Sequence, residues 1–530
     1  MGRTISPTMA GLTAGVFVAV ATLCGCSGGS AAGNVVSGGT FTMAVSADPG
    51  NLDPQASAAT TDYQMSFLAY DRLLGISPTG TIQSELASSW QLGANSVTLT
   101  LKKDITCSDG DRFTAQTAAD NLNYVADPKN GSPFAGVMLP ADAKASADAA
   151  TNTVTIALAA PAPFVLDGLA GLPMVCGKGM ANRTSLATTT DGTGPYRLTQ
   201  ATPNEAYTLT KRAGYTWGPN GATSAQPGLP DTIVVKVVAN ETTAANLLLS
   251  GQLNAALIFG PDSTRLAAAN LFSANVPAIS GEQWINQAPG RAGADQKVRL
   301  ALAEAVDFGQ VEKVLTSGRG TQGTTFAATS PVACPGNSVA KAMPAHNLAQ
   351  AKSLLDADGW TVGAGGIRSK NGQQLALTFV YETQAGAAAS AAADLAAQQW
   401  SALGVKITPS GQDDTTSTNT LFSSGNWDIA WVPLNVSSPD QLVGFLSGPT
   451  PPSGENFAHI DNPGYTNLVG TAVKTQGTAG CPQWLSAESG LVRDADVIPF
   501  ANQEAKVFSA GATFSVLAAL LPMSIRMTAG

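Results

Sequence analysis

Six cysteines and two histidines are the residues of this chain on which nucleophilic, redox or metal chemistry could be built. The cysteines fall into two groups. Cys24 and Cys26 flank one glycine in "TLCGCSGGS" (22–30), while Cys107, Cys176, Cys334 and Cys481 are scattered through the body. No CxxC pair occurs, and His346 and His459 each lack a neighbouring His, Cys or acidic cluster, so no metal site is expected. The chain holds no H-E-x-x-H and no phosphate-cradling G-x-x-x-x-G-K. Its G-x-S-x-G match (25–29) lies in a Gly/Ser-rich stretch with no strand or helix around it. These residues predict a chain that is not an enzyme and needs no cofactor.

The thiols make more sense as anchors and staples. Arg3 precedes an apolar stretch, "GLTAGVFVAVATL" (11–23), organised like a secretory signal. About thirteen residues fall short of the roughly 20 that a membrane-spanning helix needs. Leu23-Cys24-Gly25-Cys26 resembles a bacterial lipobox. That resemblance implies a signal peptide over 1–25, with Cys26 acylated as the new N-terminus. Residues 26–39, "CSGGSAAGNVVSGG", read as a flexible, lipid-anchored linker. The chain is thus expected to be exported and held by lipid on the outer face of the cell membrane. An even number of body cysteines in an exported chain reads as two disulfides. Four thiols allow three pairings. If the lobes are sequential, Cys107–Cys176 and Cys334–Cys481 keep each bridge local.

Roughly 490 residues follow the linker, more than one hydrophobic core usually holds, so two or three lobes are expected. The net charge of −9 is spread thinly and no basic stripe exists to neutralise phosphates, which argues against a nucleic-acid partner. Alternation predicts strands at "GGTFTMAV" (38–45) and "SVTLTLKKDI" (96–105). Helices are expected over 62–74, over 114–127 with Thr114 as N-cap, and over 243–251, 296–307, 347–360 and 389–404. "LALTFVYE" (375–382) and "VKITPS" (405–410) flank the last helix as a βαβ-like unit, which suggests parallel sheet. The apolar run "FSVLAALLP" (514–522) is too short for a span and reads as core.

Seven blocks, in order, resemble the peptide- and nickel-type extracellular solute-binding proteins of ABC importers (family 5). They are "GGTFTMAVSADPGNLDP" (38–54), "YDRLLGISPTGTIQSELASSWQL" (70–92), "CSDGDRFTAQTAADNL" (107–122), "GTGPYRL" (192–198), "KVRLALAEAVD" (297–307), "AKSLLDADGW" (351–360) and "NWDIAWVPLN" (426–435). The resemblance implies an α/β, two-lobed periplasmic-binding-protein-like (type II, Venus-flytrap) fold with an extra inserted N-terminal domain. Domain I would comprise 40–70, 191–283 and 496–530, domain II the insertion 71–190, and domain III 284–495. It further implies a monomer that closes about a hinge on a small solute and hands it to ABC permease subunits. An oligopeptide is the first expectation. A sensing receptor, or a binder of a sugar or other uncharged metabolite, is the alternative.

In that family a peptide amine is commonly held by an aspartate after the "WD" strand. Here Asn435, Val436, Ser437 and Ser438 occupy that place, and Asp440 matches a later position. A buried ammonium without a carboxylate is costly, so a free peptide N-terminus would need another anchor. The ligand-binding candidates are Tyr63, Gln64, Trp284, Asn286, Trp431 and Asn435. Tryptophan and tyrosine supply flat apolar area with a polar edge. For Trp431 and Trp427 the competing expectation is a place in the core.

Overall fold

The computed structural model describes residues 34–57, 59–383 and 385–529. The expected signal peptide and Cys26 lie outside the described residues. Among the described residues no helix is long and apolar enough to cross a membrane.

A single mixed sheet of ten strands runs through the molecule. Its order is Lys406–Gln412, Ala376–Glu382, Ile429–Trp431, Phe272–Ile285, Val497–Ser509, Ala255–Ile258, Thr40–Val45, Thr232–Val237, Ala206–Lys211, Tyr196–Thr202. The sequence 375–410 forms the expected parallel unit. Ala376–Glu382 and Lys406–Gln412 pair in parallel, and the helix Ala387–Leu403 crosses between them. That helix stops at Gly404, whose φ of +98° is open to glycine at little cost. Its alanine-rich face lies against the sheet, and the buried Trp400 donates its indole N–H to Leu302 O.

The buried side chains form separate clusters. One gathers Leu86, Val97, Leu99, Phe113, Leu122, Val154 and Ile156 between a four-stranded antiparallel sheet and the helix Ala115–Ala126. Two more, around Phe41, Leu209 and Ile233 and around Leu248, Leu253 and Phe508, flank the N-terminal half of the large sheet. Two others, around Leu302, Phe379 and Trp400 and around Trp284, Trp427 and Trp484, flank the other half. The result is a two-lobed α/β fold with an extra domain near the N-terminus. Thr114 caps its helix as expected, accepting from Thr117 N at 3.1 Å.

The expected helix over 62–74 is shorter than its pattern. It spans Thr60–Ala69, and Tyr70 turns extended. The cause is the charged pair that follows. Asp71 is buried and accepts from Tyr215 Oη and Trp217 Nε1, both at 2.9 Å. Arg72 is buried too; its guanidinium donates to Tyr70 O and Ser66 Oγ and lies 3.4 Å from the Phe67 ring centroid. Continuing the helix would swing both charges off these partners. The 243–251 helix begins earlier than expected, at Glu241, because Asn240 Oδ1 caps Thr243 N at 2.9 Å.

Among the described residues the disulfides are Cys107–Cys176 and Cys334–Cys481, with sequence separations of 69 and 147. Each joins residues of one lobe or insert, the local pairing preferred from the sequence.

Candidate functional site

The two lobes meet along a pair of long antiparallel strands, Phe272–Ile285 and Val497–Ser509. At one end, Val497–Ser509 pairs with Ala255–Ile258 of the N-terminal half. At the other, Phe272–Ile285 pairs with Ile429–Trp431 of the second half. Between these ends the register shifts on both sides of Gly281. A bulge there leaves local ladder positions unpaired and lets the ribbon bend, which makes it the natural hinge. The local sequence fits this role. A Cβ added to Gly281 would stand 2.4 Å from Phe500 Cε2, so only glycine lets that ring lie across the strand. Phe500 in turn packs 4.8 Å from Trp431 and 5.2 Å from Phe308. Asn435 clamps the irregular strand, accepting from Ile279 N at 2.8 Å and donating to Ile279 O at 3.2 Å.

Next to the bulge stands Glu282, fully buried. Its Oε2 accepts from Leu434 N at 2.8 Å. Oε1 has no well-formed hydrogen bond, the neighbouring Trp284 N–H being directed at Val432 O. Burial raises the Glu282 carboxyl to about 8, and the nearby Glu488 pushes the same way. Glu488, itself raised to about 7 by burial, accepts from Ser338 Oγ at 2.5 Å. At neutral pH Glu282 is thus largely a neutral acid.

The inserted domain reaches the second lobe through Pro163 and Phe164. Pro163 O accepts from Gly477 N at 3.1 Å, and the Phe164 ring, 3 % exposed, packs 6.4 Å from Trp484. Phe164 leads into the helix Val165–Gly171, which carries Asp167. Facing it is the turn Pro439–Leu442, whose start is secured by a capping box between Ser438 and Gln441. This turn carries Asp440. Burial raises Asp440 to about 6, and Asp167 across the junction adds to the rise. Asp167 is raised to about 6 as well, by burial. No lysine or arginine of the described residues forms an ion pair with either. Two half-buried carboxylates, one from each side, are therefore close enough for one to raise the other, and neither is ion-paired among the described residues. Close by, the buried Trp484 has an indole N–H with no hydrogen-bond partner.

The residues named from sequence are not gathered at one point. Trp284 and Asn286 end the first crossing strand and are buried, Trp284 donating to Val432 O and Asn286 Nδ2 to Trp427 O, each at 2.9 Å. Trp431 is buried among Phe379, Trp400 and Phe500 and donates to Gln283 Oε1. Trp427 is likewise core. Gln64 is buried and exchanges two hydrogen bonds with the backbone of Leu520, tying the helix to the 514–522 run. Tyr63 is half-buried, donates to Gly171 O and packs on Phe67. Asn435 is exposed at the hinge. In this conformation Trp284, Asn286, Trp431 and Gln64 turn their polar atoms inward. His346 hydrogen-bonds Glu304 O through Nδ1. Among the described residues no group of three or more His, Cys, Asp or Glu is placed to hold a metal ion.

Sequence reasoning passed over Asp167, Phe164 and Trp484. A signal did exist for the first: between 159 and 177 Asp167 is the lone charged residue.

A model of the bacterial extracellular solute-binding proteins, family 5 (middle region), matches residues 81–451. Protein XP55 of Streptomyces lividans is 27% identical over 394 residues, 71% of this chain and 67% of its own. The periplasmic murein peptide-binding protein MppA of Escherichia coli (strain K12) is 25% identical over 497 residues, 85% of each chain. The crystal structure of a substrate binding protein from Microbacterium hydrocarbonoxydans, complexed with 4-hydroxybenzoate hydrazide, is similar at a TM-score of 0.76 and 24% identity. That likeness, which is one of fold, covers 92% of this chain and 100% of the other. With its two lobes, crossing strands and inserted domain, the chain belongs to the family 5 bacterial extracellular solute-binding proteins, the substrate-binding components of ABC importers, and is a binding protein, not an enzyme.

Proposed function

We propose that this chain captures an oligopeptide between its lobes by hinge closure, with the peptide's ammonium group seated between Asp167 and Asp440. The observation that carries this reading is that pair of carboxylates, one from each side of the junction, with no cation paired to either. Closing on nothing brings two negative groups together, which is unfavourable. Closing on an ammonium makes two charge-assisted hydrogen bonds, so the ligand favours the closed state by its differential contacts. Asp440 thereby stands in for the acid that the resemblance placed around Asn435. Tyr63 and Asn435 are proposed as further contacts, while Gln64, Trp284, Asn286 and Trp431 support the walls from behind. The domain division into 40–70 with 191–283 and 496–530, 71–190, and 284–495 belongs to the same proposal. So does a lipid on Cys26, which would keep a monomer close to its permease on the outer face of the membrane. The test is a calorimetric titration of the mature chain with trialanine and with N-acetyl-trialanine. Binding of the free-amine form alone supports the reading; equal binding of both removes the ammonium from it.

A further inference from the structure

Phe164 and the residues that follow it are anchored in opposite jaws. The segment leaves the insert's four-stranded sheet after the strand Thr153–Ala157, and Val165, Leu169 and Ala170 pack in the insert's own core. The Phe164 ring instead joins the tryptophan-rich cluster of the second lobe. Among the described residues, the other buried members of that cluster lie between Trp284 and Val497. There the ring is 3 % exposed and 6.4 Å from Trp484.

Both sides of this contact are stiff. The ring is presented by Pro161-Ala162-Pro163, and two fixed prolyl φ angles lower the entropy lost on ordering that segment. Pro163 O accepts from Gly477 N at 3.1 Å, and Gly477 aims that N–H from a φ of +59°, which glycine adopts at little cost. Four residues on, Cys481 opens the helix that carries Trp484 and is bridged to Cys334. Cys334 lies three residues from Pro331, where the second lobe comes near the insert again: a Cβ added to Gly80 would stand 3.5 Å from Pro331 Cβ. The disulfide thus braces both segments that the insert approaches. A swing about the ribbon at Gly281 would draw Phe164 out of the cluster and expose its ring, while the rest of each core moves as a body.

We infer that Phe164 is a catch, a positioning residue whose seating beside Trp484 holds the insert against the second lobe. It sets the ratio of closed to open forms by the same factor whatever solute lies between the jaws. Asp167 sits one helical turn beyond it, so seating the ring also carries that carboxyl towards Asp440. The catch presupposes the hinge closure proposed above, but not a peptide as solute.

The test is hydrogen–deuterium exchange of the mature chain, read residue by residue in a mass spectrometer, wild type against Phe164→Ala. The Gly477 amide should be protected in the wild type. In the variant it should lose about ten- to a hundredfold of that protection, the value of burying one phenylalanine side chain. Phe164→Leu, which keeps an apolar group, should fall between. Strand amides inside each lobe, in Ser96–Leu101 and Ala376–Glu382, should exchange at unchanged rates, which distinguishes a catch from an ordinary core residue. If Phe164→Ala does not fold, Phe164→Leu decides on the same comparison. Equal exchange at Gly477 in wild type and variant, or strand amides accelerated as much as Gly477, would each overturn the inference. A parallel run with trialanine separates the two readings. Should it leave Gly477 unchanged while Phe164→Ala still speeds that amide, the peptide falls and the catch stands.

Discussion

Replacing Glu282 by glutamine should change how stability depends on pH, in a direction and by an amount that follow from its burial. Its folded value is about 8 against an ordinary 4.5. Between those limits the folded chain holds a proton that the unfolded chain has released. Stability therefore falls as pH rises from about 4.5 and levels off above about 8. Each unit of separation is worth about 1.36 kcal/mol, so at pH 7.5 some three units amount to about 4 kcal/mol of destabilisation. Glu282→Gln keeps the shape and cannot ionise. Near pH 5 the two proteins should differ by about 1 kcal/mol or less, whereas at pH 7.5 the variant should be more stable by about 2–4 kcal/mol. Glu488 is present in both proteins, so the difference between wild type and variant reports Glu282 together with its coupling to Glu488. Urea unfolding at pH 5, 6, 7 and 8, followed by tryptophan fluorescence, measures it. If the two stability curves run parallel across that range, Glu282 is ionised in the folded state and its burial does not hold it neutral.

Other outcomes follow from the same geometry. Asp440→Asn should weaken binding of a free-amine peptide by about ten- to a hundredfold, the worth of a charge-assisted hydrogen bond, without affecting the N-acetylated control in calorimetry. Because Asp167 and Asp440 are both raised to about 6, affinity for that peptide should rise with pH through this value, as the carboxyls give up their protons. Gly281→Ala should cost about 1–3 kcal/mol by forcing a methyl against Phe500, and Phe500→Leu in the same chain should recover part of it in thermal melts. Replacing Cys107 and Cys176, or Cys334 and Cys481, by serine removes loops of 69 and 147 residues from the unfolded-state constraint. The chain-entropy model puts these losses at about 4 and about 5 kcal/mol, measurable by urea titration under oxidising conditions.

Much of this architecture could be read from residue order because it rests on local patterns. The parallel unit around Ala387–Leu403 shows in alternation, an alanine-rich helix and a stop glycine, all within one stretch. A sequential order of lobes favours the local cysteine pairing. What escaped is set by partners distant in sequence. The helix at Thr60 ends at Ala69 because Asp71 finds Tyr215 and Trp217, residues some way along the chain. Trp284, Asn286 and Gln64 look like ligand contacts as residue types, yet each points its polar edge at a backbone group inside the protein. Asp167 and Asp440 are 273 positions apart by subtraction, and only the folded junction makes them a pair.

The two covalent cross-links have a mechanical consequence. Each begins and ends on one side of the swivel: Cys107 and Cys176 in the insert, Cys334 and Cys481 against the tryptophan-rich cluster of the far lobe. Neither ties one jaw to the other or to the ribbon that joins them. Oxidation can therefore harden the rigid parts while leaving the axle free to turn, and a reducing agent would soften the jaws without loosening their pivot.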